Sequence, residues 1–207
     1  MKVAAILLAA GSSTRMGRTK QLLPYRDETL VRWTARTALD SVCTPVLAVL
    51  GSLSDLVRTE LEDLPVQLLE NPHWAEGMGS SVRCGVRGAL ALDPDLDAAL
   101  LLLADQPQVT AKTINRLVET AITTAKPIVA SAYSNTLGVP ALFTRDTFGE
   151  LSNLPSEWGA KKLIAEGGDR VVAVPAPEAA WDIDTPENYR DLNEVNHAKA
   201  KFIGKIQ

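Results

Sequence analysis

Short apolar runs alternate along the chain with longer segments in which apolar residues recur at helical spacing. A continuous apolar run of about four to eight residues, ended by glycine, proline or polar residues, is typical of a strand buried on both faces of a parallel sheet. Such runs predict strands at residues 4–10, 45–50, 66–69, 97–104 and 127–130. Helical spacing predicts helices at residues 28–39, 53–61, 82–90 and 110–124. The alternation predicts an α/β fold with three layers, in which helices cover both faces of a mostly parallel central sheet.

Length and composition indicate one globular domain. The chain has 207 residues, of which 46% are hydrophobic and 22% are charged, and these values suit a single α/β core of ordinary size. We expect residues 1–195 to form one domain. Residues 196–207, which carry lysines and His197, are expected to form a basic C-terminal tail.

Charge and hydropathy narrow the class of partner and the compartment. The net charge of -4 argues against a nucleic-acid-binding protein, because binding a polyanion requires a broad basic surface. No segment approaches the roughly 18 apolar residues of a membrane span, and the first residues lack the features of a signal peptide. Cys43 and Cys84 lie far apart without a CxxC motif, which favours reduced thiols. We therefore expect a cytoplasmic protein that binds neither nucleic acid nor membrane.

A small-residue, cationic loop follows the first predicted strand. Gly11 and Gly17 lie within it, and glycine lets the backbone approach a ligand where a side chain would clash. The loop also contains hydroxyl and cationic side chains, namely Ser12, Ser13, Thr14, Arg15, Arg18 and Lys20. Amides, hydroxyls and positive charge at this density favour a polyphosphate ligand. The spacing fits neither the Walker A loop, whose lysine directly follows its second glycine, nor the dinucleotide pattern GxGxxG.

A second glycine-rich loop precedes the helical pattern that starts at Val82. It contains Gly77 and Gly79 and ends in Ser80 and Ser81. Serine is a favoured N-cap residue, so we expect a serine to cap this helix. Free amides and serine hydroxyls at a helix N-terminus can bind phosphate or the polar edge of a base.

Acidic side chains follow the most hydrophobic predicted strand and a later extended segment. Asp105 comes directly after residues 97–104, and ligands of open α/β sheets bind beyond the carboxyl ends of the strands, so Asp105 should face the crevice of the cationic loop. A carboxylate beside a polyphosphate is repelled unless a divalent cation lies between them, which predicts Mg2+ at Asp105. Asp182 and Asp184 share one side of the extended segment and could also hold a cation. Thr185 is expected to cap a helix there.

These motifs resemble those of the nucleotidyltransferases with a Rossmann-like fold, and among them most closely the molybdenum cofactor cytidylyltransferases. The first loop follows the pattern L-A-x-G-x-S-x-R-M-G-x-x-K-x-L-L-P at Leu8, Ala9, Gly11, Ser13, Arg15, Met16, Gly17, Lys20, Leu22, Leu23 and Pro24. The second loop is similar to the family's Asn-x-x-Trp-x-x-Gly-Met-x-x-Ser stretch at Asn71, Trp74, Gly77, Met78 and Ser81. The segments around Asp105 and Asp184 resemble the family's metal-binding motifs.

The resemblance implies a Mg2+-dependent transfer of CMP from CTP to the phosphate of molybdopterin, with release of pyrophosphate. A molybdoenzyme or its chaperone would receive the product. Catalytic roles are implied for Arg15, Lys20 and Asp105, and a metal site is implied at Asp105 and Asp184. The implied nucleotide-binding residues are Leu8, Ala9, Ala10, Gly11, Ser12, Ser13, Gly17, Asn71, Gly79, Ser80 and Ser81. Ala10 favours cytosine, because guanylyl-transferring relatives more often have glycine there.

Three positions in the second half depart from the family pattern. Val139 replaces a histidine that the family often has in a Gly-His-Pro element, and Glu157 and Lys161 replace Asp and Arg of a Gly-Asp-x-Gly-Ala-Arg element. Lysine does not reproduce the bidentate fork of arginine. The acceptor could therefore be another phosphorylated molecule, such as a sugar phosphate or methylerythritol phosphate. A catalytically idle nucleotide- or cofactor-binding module is the other alternative, although such a protein would be expected to lose the implied catalytic and metal-binding residues.

Overall fold

A computed structural model describes residues 1–12, 19–183 and 185–192 of the chain. Its strands are β1 Val3–Leu8, β2 Pro24–Tyr25, β3 Glu28–Thr29, β4 Val46–Leu50, β5 Gln67–Glu70, β6 Ala98–Leu103, β7 Ile128–Tyr133, β8 Thr136–Thr144 and β9 Val171–Pro175. Its α-helices include α1 Leu30–Leu39, α2 Ser54–Leu61, α3 Met78–Leu92, α4 Ala111–Thr124, α5 Phe148–Ser152 and α6 Ala160–Glu166, and residues 186–192 are also helical.

Seven strands form the central sheet in the order β5-β4-β1-β6-β8-β7-β9. Strands β5, β4, β1 and β6 pair in parallel, β9 is parallel to β7, and β8 is antiparallel to both of its neighbours. This arrangement confirms the predicted α/β class with a mostly parallel sheet. Since β1 lies between β4 and β6, the loops that follow these strands open at one edge of the sheet, where open α/β folds bind their ligands.

The core has two layers, one on each face of the sheet. All six residues of β1 are buried and alternate between the two faces. Val3, Ala5 and Leu7 pack with α1, α2 and α4, and the other three pack with α3, α5 and α6. Helices therefore cover both faces of the sheet, as the sequence predicts.

Two predicted helix boundaries are wrong. The first helix was expected from residue 28, but Glu28–Thr29 pairs with Pro24–Tyr25 in a small antiparallel ribbon and α1 begins at Leu30. The helix expected to start with a serine cap begins at Met78, and Gly77 precedes it without a side-chain cap. Ser80 and Ser81 consequently lie inside the first turn.

The segment that leads to the last described helix closes a small separate cluster. Leu23, Tyr25, Leu30, Ile183 and Leu192 are buried together there. As predicted, the Thr185 hydroxyl accepts a hydrogen bond from the amide of Asn188, at 3.2 Å, at the start of helical residues 186–192. This cluster ties the C-terminal part of the described chain to the segment that carries Lys20.

Both cysteines are free, as expected. Burial raises the pKa of the Cys43 thiol, with a smaller opposing effect from Ser41, and burial also raises the pKa of Cys84, opposed by Arg87. In the part of the chain that the structure describes, no helix is both long enough and apolar enough to cross a bilayer. The boundary predicted at residue 195 and the tail at residues 196–207 lie outside the described residues.

Candidate nucleotide-binding site

A cavity of about 330 Å3 lies beyond the carboxyl ends of β1 and β6. It is lined by Leu8, Ala10, Gly11, Ser12, Lys20, Gln21, Trp74, Ala75, Gly77, Met78, Ser81, Leu103, Ala104 and Asp105. This volume is within the range of small-molecule sites. The cationic loop, the second glycine-rich loop and the acid after β6 thus contribute to one cavity, although they are far apart in the sequence.

Lys20 and Asp105 form the charged end of the cavity. The Lys20 ammonium donates to Oδ2 of Asp105, and the two side chains are 20% and 12% exposed. The other carboxylate oxygen of Asp105, Oδ1, is buried and has no hydrogen-bond partner among the described residues. A buried oxygen anion without a donor is costly, and Oδ1 is therefore a suitable ligand for a divalent cation.

Of Asp105 and Asp184, the two metal ligands that the resemblance implies, Asp105 alone lies among the described residues; Asp182, the weaker candidate, is described and is exposed. The described residues contain no group of three or more His, Cys, Asp or Glu side chains that could hold a metal ion. Asp184 lies outside the described residues, but its neighbour Ile183 donates its amide to the carbonyl of Asp105 at 3.0 Å. The backbone therefore brings the residue before Asp184 directly to Asp105. Carboxylate oxygens are the ligands that Mg2+ and Mn2+ prefer, so this donor set fits such a cation.

Gln21 holds the beginning of the cationic loop in place. Its side chain is buried, and Nε2 donates to the carbonyl of Gly11 at 2.7 Å and to that of Ala9 at 3.3 Å. Gln21 lies in the short 3-10 turn Lys20–Leu22, so the same turn places Lys20 in the cavity and fixes the loop that starts after β1. The sequence does not indicate this role of Gln21, because Gln21 occupies a variable position of the motif.

The N-terminal turn of α3 is fixed by polar contacts within the protein. Asn71 is buried, and its Nδ2 donates to the hydroxyls of Ser80 at 2.8 Å and Ser81 at 3.1 Å. The amide of Gly79 donates to the carbonyl of Ser156 at 2.9 Å, which supplies the missing cap. Of these residues, Ser81 alone reaches the cavity, so Asn71, Gly79 and Ser80 shape the wall behind it.

Trp74 forms an apolar wall beside Ala10. A Cβ atom placed on Gly51 would lie 2.5 Å from Cβ of Trp74 and 2.8 Å from Cβ of Ala10. Gly51 therefore allows the indole and the alanine methyl to lie side by side in the wall of the cavity. Met78, which is 48% exposed, also lines the cavity. Trp74 and Met78 belong to the motif of the second loop, but they are not among the nucleotide-binding residues that the resemblance implies.

Tyr133, the last residue of β7, is close enough to Asp105 and Asp182 for their charges to affect its pKa. Its hydroxyl donates to the carbonyl of Val139 at 3.1 Å. Burial raises the pKa of Tyr133, a hydrogen bond with Gln106 lowers it, and the negative charges of Asp182 and Asp105 raise it further. Tyr133 therefore stays neutral at physiological pH.

The structure brings together part of the predicted site. Seven of the predicted residues line the cavity: Leu8, Ala10, Gly11, Ser12, Lys20, Ser81 and Asp105. Ala9, Asn71, Gly79 and Ser80 do not line it. Ser13, Arg15, Gly17 and Asp184 lie outside the described residues. Of the three departures from the family pattern, Glu157 and Lys161 are exposed, and Val139 is partly buried, at the β8 segment that Tyr133 contacts.

Comparison with known proteins identifies the protein family of the chain. Residues 5–171 match the family described as MobA-like NTP transferase domain. The chain is 32% identical over 201 residues to the purine catabolism protein PucB of Bacillus subtilis strain 168, which covers 89% of this chain and 92% of that protein. It is 38% identical over 117 residues to nicotine blue oxidoreductase of Paenarthrobacter nicotinovorans, a match that spans 56% of this chain and about half, 55%, of that relative.

A solved structure and a cytidylyltransferase are also similar. The crystal structure of Rv0371c from Mycobacterium tuberculosis in complex with manganese aligns with a TM-score of 0.72 and 32% identity, covering 94% of this chain and 99% of that one. The molybdenum cofactor cytidylyltransferase of Escherichia coli K12 is 23% identical over 190 residues, 91% of this chain and 94% of that protein. The chain therefore belongs to the MobA-like NTP transferase family and is a nucleotidyltransferase.

Proposed function

We propose that the protein transfers CMP from CTP to the phosphate of a molybdopterin-type acceptor and releases pyrophosphate. The observation that carries this proposal is a cavity that combines the charged pair of Lys20 and Asp105 with apolar lining residues that include Trp74 and Ala10. A nucleotide combines the same two properties, because its phosphates are charged and its base is flat and largely apolar on its faces. CTP would therefore lie with its base near Trp74 and its phosphates near Lys20.

The cationic and the acidic residues would have separate roles in this reaction. Lys20, together with Arg15, would neutralise phosphate oxygens. Asp105 and Asp184 would hold a divalent cation, taken to be Mg2+. A bound cation would supply positive charge that balances the triphosphate and the charge that develops at the α-phosphate.

The chemical step needs positioning more than acid-base chemistry. An oxygen of the acceptor phosphate forms a bond to the α-phosphorus, the bond from that phosphorus to the bridging oxygen breaks, and pyrophosphate leaves with the electron pair. Because the attacking phosphate is already ionised, no general base is required. The protein contributes alignment and fixed charges.

Two observations support the choice of CTP as the donor and of molybdopterin as the acceptor. The methyl group of Ala10 and the Trp74 indole lie close together in the cavity wall and limit the space beside them, which favours a one-ring base. The similarity to a molybdenum cofactor cytidylyltransferase supports a molybdopterin-type acceptor. Val139, at a position where the family often has histidine, is the departure that most favours a different phosphorylated acceptor.

Pyrophosphate release tests the proposal. We would supply each of the four nucleoside triphosphates with Mg2+ and purified molybdopterin, and compare the wild type with Asp105→Ala and with the control Asp95→Ala, whose carboxylate is on the surface. CTP-selective release that is lost in Asp105→Ala and kept in Asp95→Ala supports the proposal. Tight CTP binding without turnover contradicts the acceptor, and no nucleotide binding contradicts the whole proposal.

A further inference from the structure

Gln106 connects three segments around the charged end of the cavity. It directly follows Asp105 and is 3% exposed. Its Nε2 donates to the carbonyl of Val139 at 3.1 Å and to the carbonyl of Ala179 at 2.8 Å. One buried amide group thus joins the loop after β6 to strand β8 and to the short 3-10 turn Pro177–Ala180.

The turn at Ala179 leads straight to the acidic segment at residues 182–184. That segment is bound to the loop after β6 a second time, through the 3.0 Å bond from the amide of Ile183 to the carbonyl of Asp105. The Ile183 side chain is buried, with 1% exposure. Residues 179–183 are therefore fixed to the Asp105 loop at both ends, by the Gln106 side chain at one end and by the backbone at the other.

The contact at Val139 extends this connection to β8. The Val139 carbonyl accepts hydrogen bonds from both Gln106 and the Tyr133 hydroxyl. In β8 the pairing with β7 shifts register here, from Ala130–Ala141 to Ser131–Gly138. Because the regular ladder is interrupted, side-chain donors supply the partners that the carbonyl would have in an unbroken sheet.

We propose that Gln106 is a positioning residue that fixes residues 179–183, which precede Asp184 in the chain, against the loop of Asp105, and thereby sets the geometry of the divalent-cation site. The inference rests on the proposed function, in which Asp105 and Asp184 bind the cation. Residues that orient metal ligands through hydrogen bonds affect metal binding without contacting the ion, and their loss typically weakens it by about 10- to 100-fold. Gln106 acts in this way through its two carbonyl partners.

The substitution Gln106→Met tests the role of the donor. Methionine has a similar length and no N–H group, so both carbonyls lose their donor while the space remains filled. The matched control is Gln108→Met, because Nε2 of Gln108 has no hydrogen-bond partner among the described residues and the substitution breaks no such bond. Gln106→Asn, which keeps the amide on a side chain one methylene shorter, serves as a second variant if Gln106→Met does not fold.

The measurement is the dissociation constant of Mn2+ in the presence of CTP, followed by electron paramagnetic resonance of free Mn2+. We expect it to rise about 10- to 100-fold in Gln106→Met, to rise also in Gln106→Asn, and to stay unchanged in Gln108→Met. The dissociation constant of CTP without metal, measured by calorimetry, should be unchanged in all three variants. A merely structural role would lower thermal stability without this selective loss of Mn2+ binding.

Two results would overturn the inference alone: wild-type Mn2+ affinity in a folded Gln106 variant, or an equal loss of Mn2+ and metal-free CTP binding. In both cases the wild type still binds Mn2+ with CTP and turns over, so the proposed function stands. If the wild type binds no Mn2+ with CTP, the proposed cation site fails and the inference fails with it.

Discussion

Lys20 and Asp105 bind each other in the structure, and a bound nucleotide with its cation would give both of them new partners. A pair with side chains 20% and 12% exposed is partly shielded from water, so its charges interact more strongly than those of a surface pair. The pair thereby keeps the ammonium at the charged end of the cavity, where a triphosphate would meet it. Preorganised charge of this kind is a large contribution to catalysis in polar reactions.

Replacing Lys20 should slow the chemical step more than it weakens binding. We expect Lys20→Met to lower kcat by about 100- to 1000-fold, because one preorganised donor to the reacting phosphates is lost. The control is Lys112→Met, whose side chain is exposed on α4. Steady-state rates of pyrophosphate release at saturating CTP would check this. A Lys20→Met enzyme with wild-type kcat would contradict the role assigned to Lys20.

Replacing Trp74 should relax the choice of base. Trp74→Ala removes the wall beside Ala10, so that a two-ring base gains space, and we expect the ratio of kcat/KM for CTP to that for GTP to fall about tenfold. Trp74→Phe should change the ratio less, and Leu92→Ala, at the exposed far end of α3, should leave it unchanged. Competition between CTP and GTP in one assay would measure the ratio directly. An unaltered ratio in Trp74→Ala would place the base elsewhere.

At the scale of elements, the site depends on close backbone approaches that only glycine permits. The loop at residues 155–158 lies directly against the start of α3. A Cβ atom on Gly79 would lie 2.0 Å from the carbonyl oxygen of Pro155 and 2.8 Å from that of Trp158. These are backbone atoms, which cannot move aside as a flexible side chain can.

Gly79→Ala should therefore separate α3 from this loop. We expect it to lower the free energy of unfolding by about 1–3 kcal/mol, since overpacking forces the backbone to shift. Gly149→Ala is the matched control, because Gly149 lies in α5 and a Cβ atom there would meet nothing within 4 Å. Alanine at this position should stabilise the helix by about 0.5–1 kcal/mol. Urea unfolding of both variants would measure the two changes. If Gly79→Ala is as stable as the wild type, the close approach does not constrain the structure.

The sequence predicted the elements whose signals are local. The apolar run at residues 97–104 forms β6 at Ala98–Leu103, because a central strand that is covered by helices on both faces must be apolar on both. Asp105 was assigned to the cavity from its position alone, because the carboxyl ends of parallel strands share one edge of the sheet. The α/β class and the shared crevice both follow from such local patterns.

The missed features depend on contacts between distant parts of the chain. Strand β8 was not predicted because Pro140, which has no N–H group, interrupts its apolar pattern; in the structure the register shift with β7 accommodates that position. The serine cap of α3 was expected from local preference, but the carbonyl of Ser156 supplies the cap instead. The polar bonds of Gln21 and Gln106 have no sequence pattern either, because their acceptors are backbone carbonyls of any residue type.

At the scale of the whole molecule, the two core layers share the same strands. Leu117 of α4 packs in one layer and Val86 of α3 packs in the other, and both are fully buried. Since successive residues of β1 belong to alternate layers, loss of either layer exposes the other. The described residues should therefore unfold as one cooperative unit, which is the behaviour expected of the single domain predicted for residues 1–195.

Equilibrium unfolding in urea would test this cooperativity. Far-UV circular dichroism and tryptophan fluorescence should give superimposable transitions, because Trp33, Trp74, Trp158 and Trp181 are distributed along the chain and report on different parts of it. Leu117→Ala should lower the free energy of unfolding by about 2–5 kcal/mol through the cavity it creates, and it should shift both transitions together with an unchanged slope against urea. Val86→Ala, in the opposite layer, should likewise shift both. Separate transitions for the two probes, or a variant that moves one probe alone, would mean that the two layers unfold independently and that the chain contains more than one folding unit.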